Sequence, residues 1–208
     1  RLAKTVLREC IQCQRQDVQS CNEVGAPLPK LRVSEAPPFT VTGIDFAGPL
    51  FCADFQKRKW YICLFTCAVV RAVHLELTES LSTRDFILAF KRFASRKGLP
   101  SVIYSDNAQT FKGSVARLQV IYGTSSPSWK YIAPRSPWWG GWWERLVRSV
   151  KVALKKSLGR SSLTRAELET TLCEVECCIN SRPLTFVGDD IQSKSPLTQI
   201  GRASCRER

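Results

Sequence analysis

The chain has 208 residues, with 31 Lys and Arg against 18 Asp and Glu, a formal net charge of +13 at pH 7. That length holds one sizeable domain with appendages, and that charge points to a polyanionic partner, nucleic acid being the commonest. No apolar run reaches the ~18 residues of a membrane helix and no secretory signal opens the chain, so the ten cysteines are expected as thiols or metal ligands in a reducing compartment.

Residues 1–13 read as a short helix, with Leu2, Val6 and Leu7 apolar, ending at Cys10-Ile11-Gln12-Cys13. Cys10 and Cys13 have the spacing of half a tetrahedral zinc site. They read equally as incidental thiols, because the one histidine, His74, is far downstream. The stretch that follows is polar and holds Pro27, Pro29, Pro37 and Pro38, as a linker would. Residues 39–46 alternate and are rich in β-branched side chains, predicting a strand with Asp45 in its interior and Gly48-Pro49 as its end. A near-continuous apolar run over 59–70 predicts a sheet-centre strand. Residues 71–76 alternate again, with Ala72, His74 and Glu76 on one side and His74 a hydrogen-bonded sheet residue.

Ser82 is placed to N-cap a helix, with Asp85 completing a capping box and Gly98 as its stop. Residues 101–105 predict a short strand ending at Asp106-Asn107, where ligands and turn residues are both common. A helix over 113–122 and a strand over 129–132 follow. From Trp143 the apolar residues Leu146, Val147, Val150, Ala153, Leu154 and Leu158 recur at helical spacing. Glu144 lies off that stripe in the first turn, with Arg148 and Lys151 at i+4 and i+7. This arrangement suits a metal ligand beside a polyanion, and it also suits an amphipathic surface helix with a solvated acid. Thr164 is the expected N-cap of a last helix running to about Asn180, with Leu168, Leu172, Val175, Cys178 and Ile179 buried and Cys173 and Cys177 as core or boundary residues.

The result is a mixed α/β pattern with three acids in separate blocks. If Asp45, Asp106 and Glu144 meet, their repulsion requires cations. Two divalent ions roughly 3.5–4 Å apart would bridge the oxygens of a phosphoryl displacement, and Mg²⁺ suits an all-oxygen ligand set.

At these residues the chain resembles a known family. Asp45 in FTVTGIDFAGP, Asp106 in IYSDNAQTF and Glu144 in PWWGGWWERLVRSVK are similar to the DDE triad of retroviral and retrotransposon integrases. RAVHLELTESLST, WGGWWERLVRSVK and LETTLCEVECCINSRPLT resemble the BEL/Pao group of LTR retrotransposons. The resemblance implies an RNase H-like fold, a five-stranded mixed sheet flanked by helices. It implies residues 1–22 as the end of an H-H-C-C zinc module, 23–37 as a linker, 38–187 as the catalytic core and 188–199 as an extension. Zn²⁺ at Cys10 and Cys13 would need the module's histidine pair from upstream of Arg1. With no Met at position 1 or elsewhere, the chain is expected to be a piece of a longer polypeptide.

The implied activity is 3′-end processing of element DNA and strand transfer into host DNA, with two Mg²⁺ (or Mn²⁺) ions on Asp45, Asp106 and Glu144. Double-stranded DNA, both element end and target, would lie along Arg148, Lys151 and Lys155. Asn107 is either a substrate-orienting residue or a turn residue. Trp142 and Trp143 are expected in the core and Trp138 or Trp139 as stacking residues. The implied partners are DNA and further copies of the chain, not a membrane, and the implied place of action is the nucleus after synthesis in a cytoplasmic polyprotein. The alternatives are an RNase H-type nuclease, against which the loop–helix Glu block argues, and a catalytically inactive DNA-binding relic. Finally, residues 200–208, IGRASCRER, match in order the conceptual translation of a common sequencing-library adapter, and are expected to be non-native and to pack against nothing.

Overall fold

The computed structural model describes residues 10–11, 28–52, 58–133, 137–159, 163–183 and 198–199. Strand β1 (Val41–Phe51) is the centre of the sheet. On one side it pairs antiparallel with β2 (Lys59–Cys67), which pairs antiparallel with β3 (Val73–Thr78). On the other it pairs parallel with β4 (Val102–Ser105), itself parallel to β5 (Ser128–Tyr131), giving the order β3-β2-β1-β4-β5. Helices α2 (Thr83–Lys97) and α3 (Gln109–Tyr122) cover one face, where Phe65, Phe86, Phe90, Phe93 and Phe111 join Ile44 in a phenylalanine-rich core. Helices α4 (Gly141–Leu158) and α5 (Arg165–Asn180) cover the other through Leu146, Val150, Leu154, Leu172 and Val175. This is the five-stranded mixed sheet flanked by helices that the resemblance implies, built on the mixed α/β pattern read from the residues.

Side-chain alternation sends successive β1 residues to opposite faces. Ile44 belongs to the phenylalanine core and Ala47 to the α4/α5 core, so Gly43 and Asp45 share the α4 side. The edge strand β3 carries outward-facing backbone groups that could recruit a foreign strand. Helix α5 covers them. Asn180 accepts from Val73 N–H and donates to Val73 C=O, both at 2.8 Å, and Glu176 accepts from Leu75 N–H at 3.0 Å.

Several details depart from the sequence reading. β1 continues past Gly48-Pro49 to Phe51, because a register shift between Ala47 and Leu50 takes the proline, which has no N–H, out of the ladder. β2 stops at Cys67, and the chain turns there with Arg71 in a left-handed conformation (φ 61°). Ser82 caps α2 through Asp85 N–H as expected, but the Asp85 carboxylate accepts from the Ser80 hydroxyl at 2.6 Å instead of closing the capping box. At α5 the box does close, between Thr164 and Glu167. α3 begins at Gln109, four residues earlier than predicted, just after the turn that Asp106 closes onto Ala108 N–H. Within the predicted linker, Lys30–Val33 forms a single helical turn, α1. Cys173, Cys177 and Cys178 are exposed, since Leu168, Leu172, Val175 and Ile179 take the whole buried stripe. The zinc reading at Cys13, the extension apart from Thr198 and Gln199, and the 200–208 reading lie outside the described residues.

His74 is held between two carboxylates, its Nδ1 3.1 Å from Glu176 Oε1 and its Nε2 3.0 Å from Glu76 Oε1. Glu76 also pairs with Arg92 and Arg96, and Glu176 with Lys97. Burial alone would lower the His74 pKa, but the two carboxylates outweigh it and raise it above 6.5. Burial likewise works to raise Glu76 and Glu176, yet their cationic partners hold both below 4.5. The histidine's contribution is therefore full below 6.5 and lost as pH rises through its folded value. The glutamates' contribution is full above 4.5 and lost as pH falls. His74→Gln should cost on the order of 3 kcal/mol at about pH 6, and less once pH has risen through the histidine's folded value, where the wild type loses the same contribution. Urea unfolding as a function of pH measures it; a cost independent of pH would mean that the ring only fills space.

Candidate active site

The parallel ladder between β1 and β4 ends at Ile44 opposite Ser105. The next residue in each case is an acid, Asp45 within β1 and Asp106 just past the end of β4, so the two acids follow a paired position on adjacent strands. Asp45 is half-buried and accepts from Phe46 N–H at 2.7 Å. Asp106 accepts from Ala108 N–H at 3.0 Å, which fixes the turn beyond the strand. Ser105 and Asn107 brace it from either side. The Ser105 hydroxyl donates to Asp106 C=O at 2.9 Å and accepts from Trp129 Nε1–H at 2.9 Å. The Asn107 amide donates to Ile132 C=O at 2.8 Å, so that end of its side chain ties β4 to β5.

Glu144 arrives from the first turn of α4, and its position is set by the residues before it. Trp142 and Trp143 are buried edge to face against each other, ring centroids 4.9 Å apart, and rest on β1 at Gly43. A Cβ at Gly43 would stand 2.7 Å from Trp142 and 2.8 Å from Trp143, so only glycine lets the helix approach this closely. From the β2–β3 turn, Arg71 donates to Trp142 C=O at 3.0 Å, and its guanidinium lies 5.8 Å from the Trp142 ring centre. Trp142 and Trp143 are in the core as the sequence suggested. Trp139 is exposed and, with Tyr104, Trp142 and Arg32, lines a cavity of about 600 Å³; the Trp138 side chain is outside the described residues.

These placements bring the three acids into one field. The Asp45 carboxyl is pushed up to about 6, first by burial, against which the Phe46 hydrogen bond works, and then by the charges of Asp106 and Glu144; the Lys151 ammonium pulls it back. Glu144, Arg148, Lys151 and Lys155 are all exposed and, at helical pitch, lie on one face of α4. Among the described residues no three His, Cys, Asp or Glu side chains are already closed into a metal-binding group. The donor set nevertheless suits a hard divalent cation: the side chains offer oxygen, their charges repel at Asp45, and Glu144 is exposed in the first turn of α4. Gly43 and Arg71 were not singled out from the sequence. A pair of tryptophans opening a helix signals that some small residue must face them, but not which one.

The fold has solved counterparts. A chain of the simian T-cell lymphotropic virus intasome, solved in complex with PP2A regulatory subunit B56 gamma, matches with a TM-score of 0.62 at 15% identity, covering 97% of this chain and 66% of that one. The HTLV-2 integrase catalytic core domain in complex with magnesium matches in its dimeric form with a TM-score of 0.57 at 17% identity, covering 80% of this chain and 97% of that one. Its trimeric form gives 0.55 at 17% identity over 79% and 95%. At these identities the likeness is one of fold, the RNase H-like fold of an integrase core, and this chain spans 66% of the length of the intasome chain. No family model matches the chain, and no curated protein matches it in sequence.

Because the folded value of Asp45 lies above the ordinary 3.8, the native state holds the extra proton, and stability falls as pH rises from about 4 through about 6. In the metal-free protein Asp45→Asn should raise stability at about pH 8 by up to about 3 kcal/mol, with no gain below about pH 4. Thermal melts in chelator across this range measure it; a Tm lowered at pH 8 would remove the acid–acid repulsion from the account.

Proposed function

We propose that the chain is the catalytic core of an integrase, a metal-dependent polynucleotidyl transferase that processes the 3′ end of element DNA and joins it to host DNA. The observation that carries this reading is the convergence of Asp45, Asp106 and Glu144 from three separate elements, close enough that the charges of Asp106 and Glu144 add to burial in raising Asp45 to about 6. The integrase-core fold supports it, as does the magnesium with which the HTLV-2 core was solved.

Asp45, within β1, and Asp106, just past the end of β4, would hold divalent cations together with Glu144, two Mg²⁺ or Mn²⁺ ions in our reading. Such ions supply Lewis acidity: they lower the pKa of an attacking water or 3′-hydroxyl and offset charge on the phosphate. The chain's own residues do the rest. Asp45 gives up, near pH 6, the proton that its burial favours, and so becomes a ligand at neutral pH. The Lys151 ammonium, already within the acids' field, holds a non-bridging phosphate oxygen, and Arg148 and Lys155 continue the contact along the DNA backbone. The net charge of +13 draws the polyanion in against the local repulsion of the acids. The resemblance of the blocks around the triad supports a BEL/Pao-type element in our reading, whose integrase would act on host DNA in the nucleus. The dimeric and trimeric forms of the HTLV-2 core support an assembly of several copies.

Asp45→Asn, Asp106→Asn and Glu144→Gln should each lower strand transfer by at least about 10³-fold, the several kcal/mol that a metal site contributes, while circular dichroism stays that of the wild type. The assay joins element-end oligonucleotides to a target duplex in Mg²⁺ or Mn²⁺. Near-native activity in any one variant would break the triad assignment, and cleavage of an RNA–DNA hybrid without DNA joining would move the chain to the nuclease class.

A further inference from the structure

Four arginines from four separate parts of the chain gather where α4 begins, two of them against the Trp142 ring and the others within the field of Arg71. Arg32, on α1, stands with its guanidinium 5.7 Å from the Trp142 ring centre, and Arg71 at 5.8 Å. Arg182, just past α5, donates to Arg71 C=O at 3.4 Å. Arg145 is exposed one turn along α4 from Trp142, directly after Glu144. Elsewhere in the protein arginines meet carboxylates: Arg92 and Arg96 pair with Glu76, and Arg165 with Glu79 and Glu169. Around Trp142 they do not, for among the described residues none of the four forms a salt bridge. Arg32 Nε is buried without a hydrogen-bond partner among those residues. Burial and then the charges of Arg32, Arg145 and Arg182 lower the pKa of Arg71. Arg182 also donates to the Gln199 amide oxygen, but like charges held together, with the buried Arg32 Nε–H unsatisfied, are costly unless an anion completes the site.

We propose that Arg32, Arg71, Arg145 and Arg182 form a second phosphate-binding bank, gripping the nucleic-acid backbone on the side of the acids nearest the start of α4. It rests on the function proposed above and extends it. Arg148, Lys151 and Lys155 lie farther along the same helix, with Arg145 and Lys151 about 9 Å apart along the axis, so the arginines extend the cationic surface back past Glu144 to the start of α4. A phosphodiester brought over three carboxylates is repelled by them. Phosphates gripped by both groups of cations hold it there, and the planar guanidinium fork suits that task better than an ammonium because it binds phosphate oxygens in pairs. Trp142 is the scaffold: Arg32 and Arg71 lie against its ring, which limits the side-chain freedom lost when phosphate binds.

The test uses anisotropy of a fluorescein-labelled DNA duplex, in chelator, as a function of salt. Arg71 is left intact because it also bonds Trp142 C=O. Arg145→Ala should flatten the slope of log K against log salt by about 0.9, one phosphate contact, and the Arg32→Ala/Arg182→Ala double variant by about twice that. Arg145→Lys should restore most of the slope, and Arg145→Ala combined with Lys151→Ala should lose the sum of the two single losses. Should the arginine variants keep the wild-type slope while Lys151→Ala loses its share, this inference fails and the proposed function stands. Wild-type protein with no salt-dependent DNA binding would sink that function itself. An unchanged slope accompanied by loss of self-association in gel filtration would make the cluster a protein interface and overturn the proposal.

Discussion

Trp142 and Trp143 rest on the bare backbone of Gly43, and the rest of the arrangement depends on that contact. A Cβ at Gly43 would stand closer to both rings than real packing allows, so the residue two places before Asp45 sets how near α4 comes to the sheet. The helix then carries Glu144 and Lys151 into the field of Asp45. The same tryptophan, through its carbonyl and its ring, organises Arg71 and Arg32. A single steric allowance thus brings together the third acid, the cation that tempers it and the arginines beside it.

The molecule holds two ionic clusters built on opposite principles. The His74 cluster is closed: each of its carboxylates meets cations, both glutamate pKa values lie below the ordinary range and the histidine's lies above. Such a network stabilises the fold and secures α5 over the β3 edge. The cluster around Asp45 is open: burial and the charges of Asp106 and Glu144 raise the Asp45 carboxyl, and Lys151 relieves this only in part. Electrostatic strain that the protein leaves unrelieved costs stability, and it is found where a ligand is meant to complete the balance. The arginines gathered where α4 begins are its positive counterpart.

Much of this was legible in the sequence because it is local. Ser82 and Thr164 cap their helices as their side chains dictate, and the stripe from Trp142 to Leu154 buries as its spacing requires. The acids at 45 and 106 stood out because each interrupts or ends an apolar strand, and the parallel register makes them neighbours. What escaped was non-local or set by competition. Nothing near Gly43 announces two indole rings a hundred positions away. Asp85 found Ser80 before it could close a box with Ser82. Cys178 lost its expected burial because Val175 and Ile179 already filled that side of α5. Arg71 was read as part of a strand, and its left-handed turn conformation follows from the end of β2 at Cys67.

The central claim is that the three carboxylates constitute a single divalent-cation site. Crystals grown with Mn²⁺ and measured for manganese anomalous scattering test it most directly. The account predicts anomalous density within ligand distance of Asp45, Asp106 and Glu144 together, with Glu144 swung in from its first-turn position. Density on Asp45 and Asp106 with Glu144 turned away, or manganese bound only elsewhere on the chain, would contradict it.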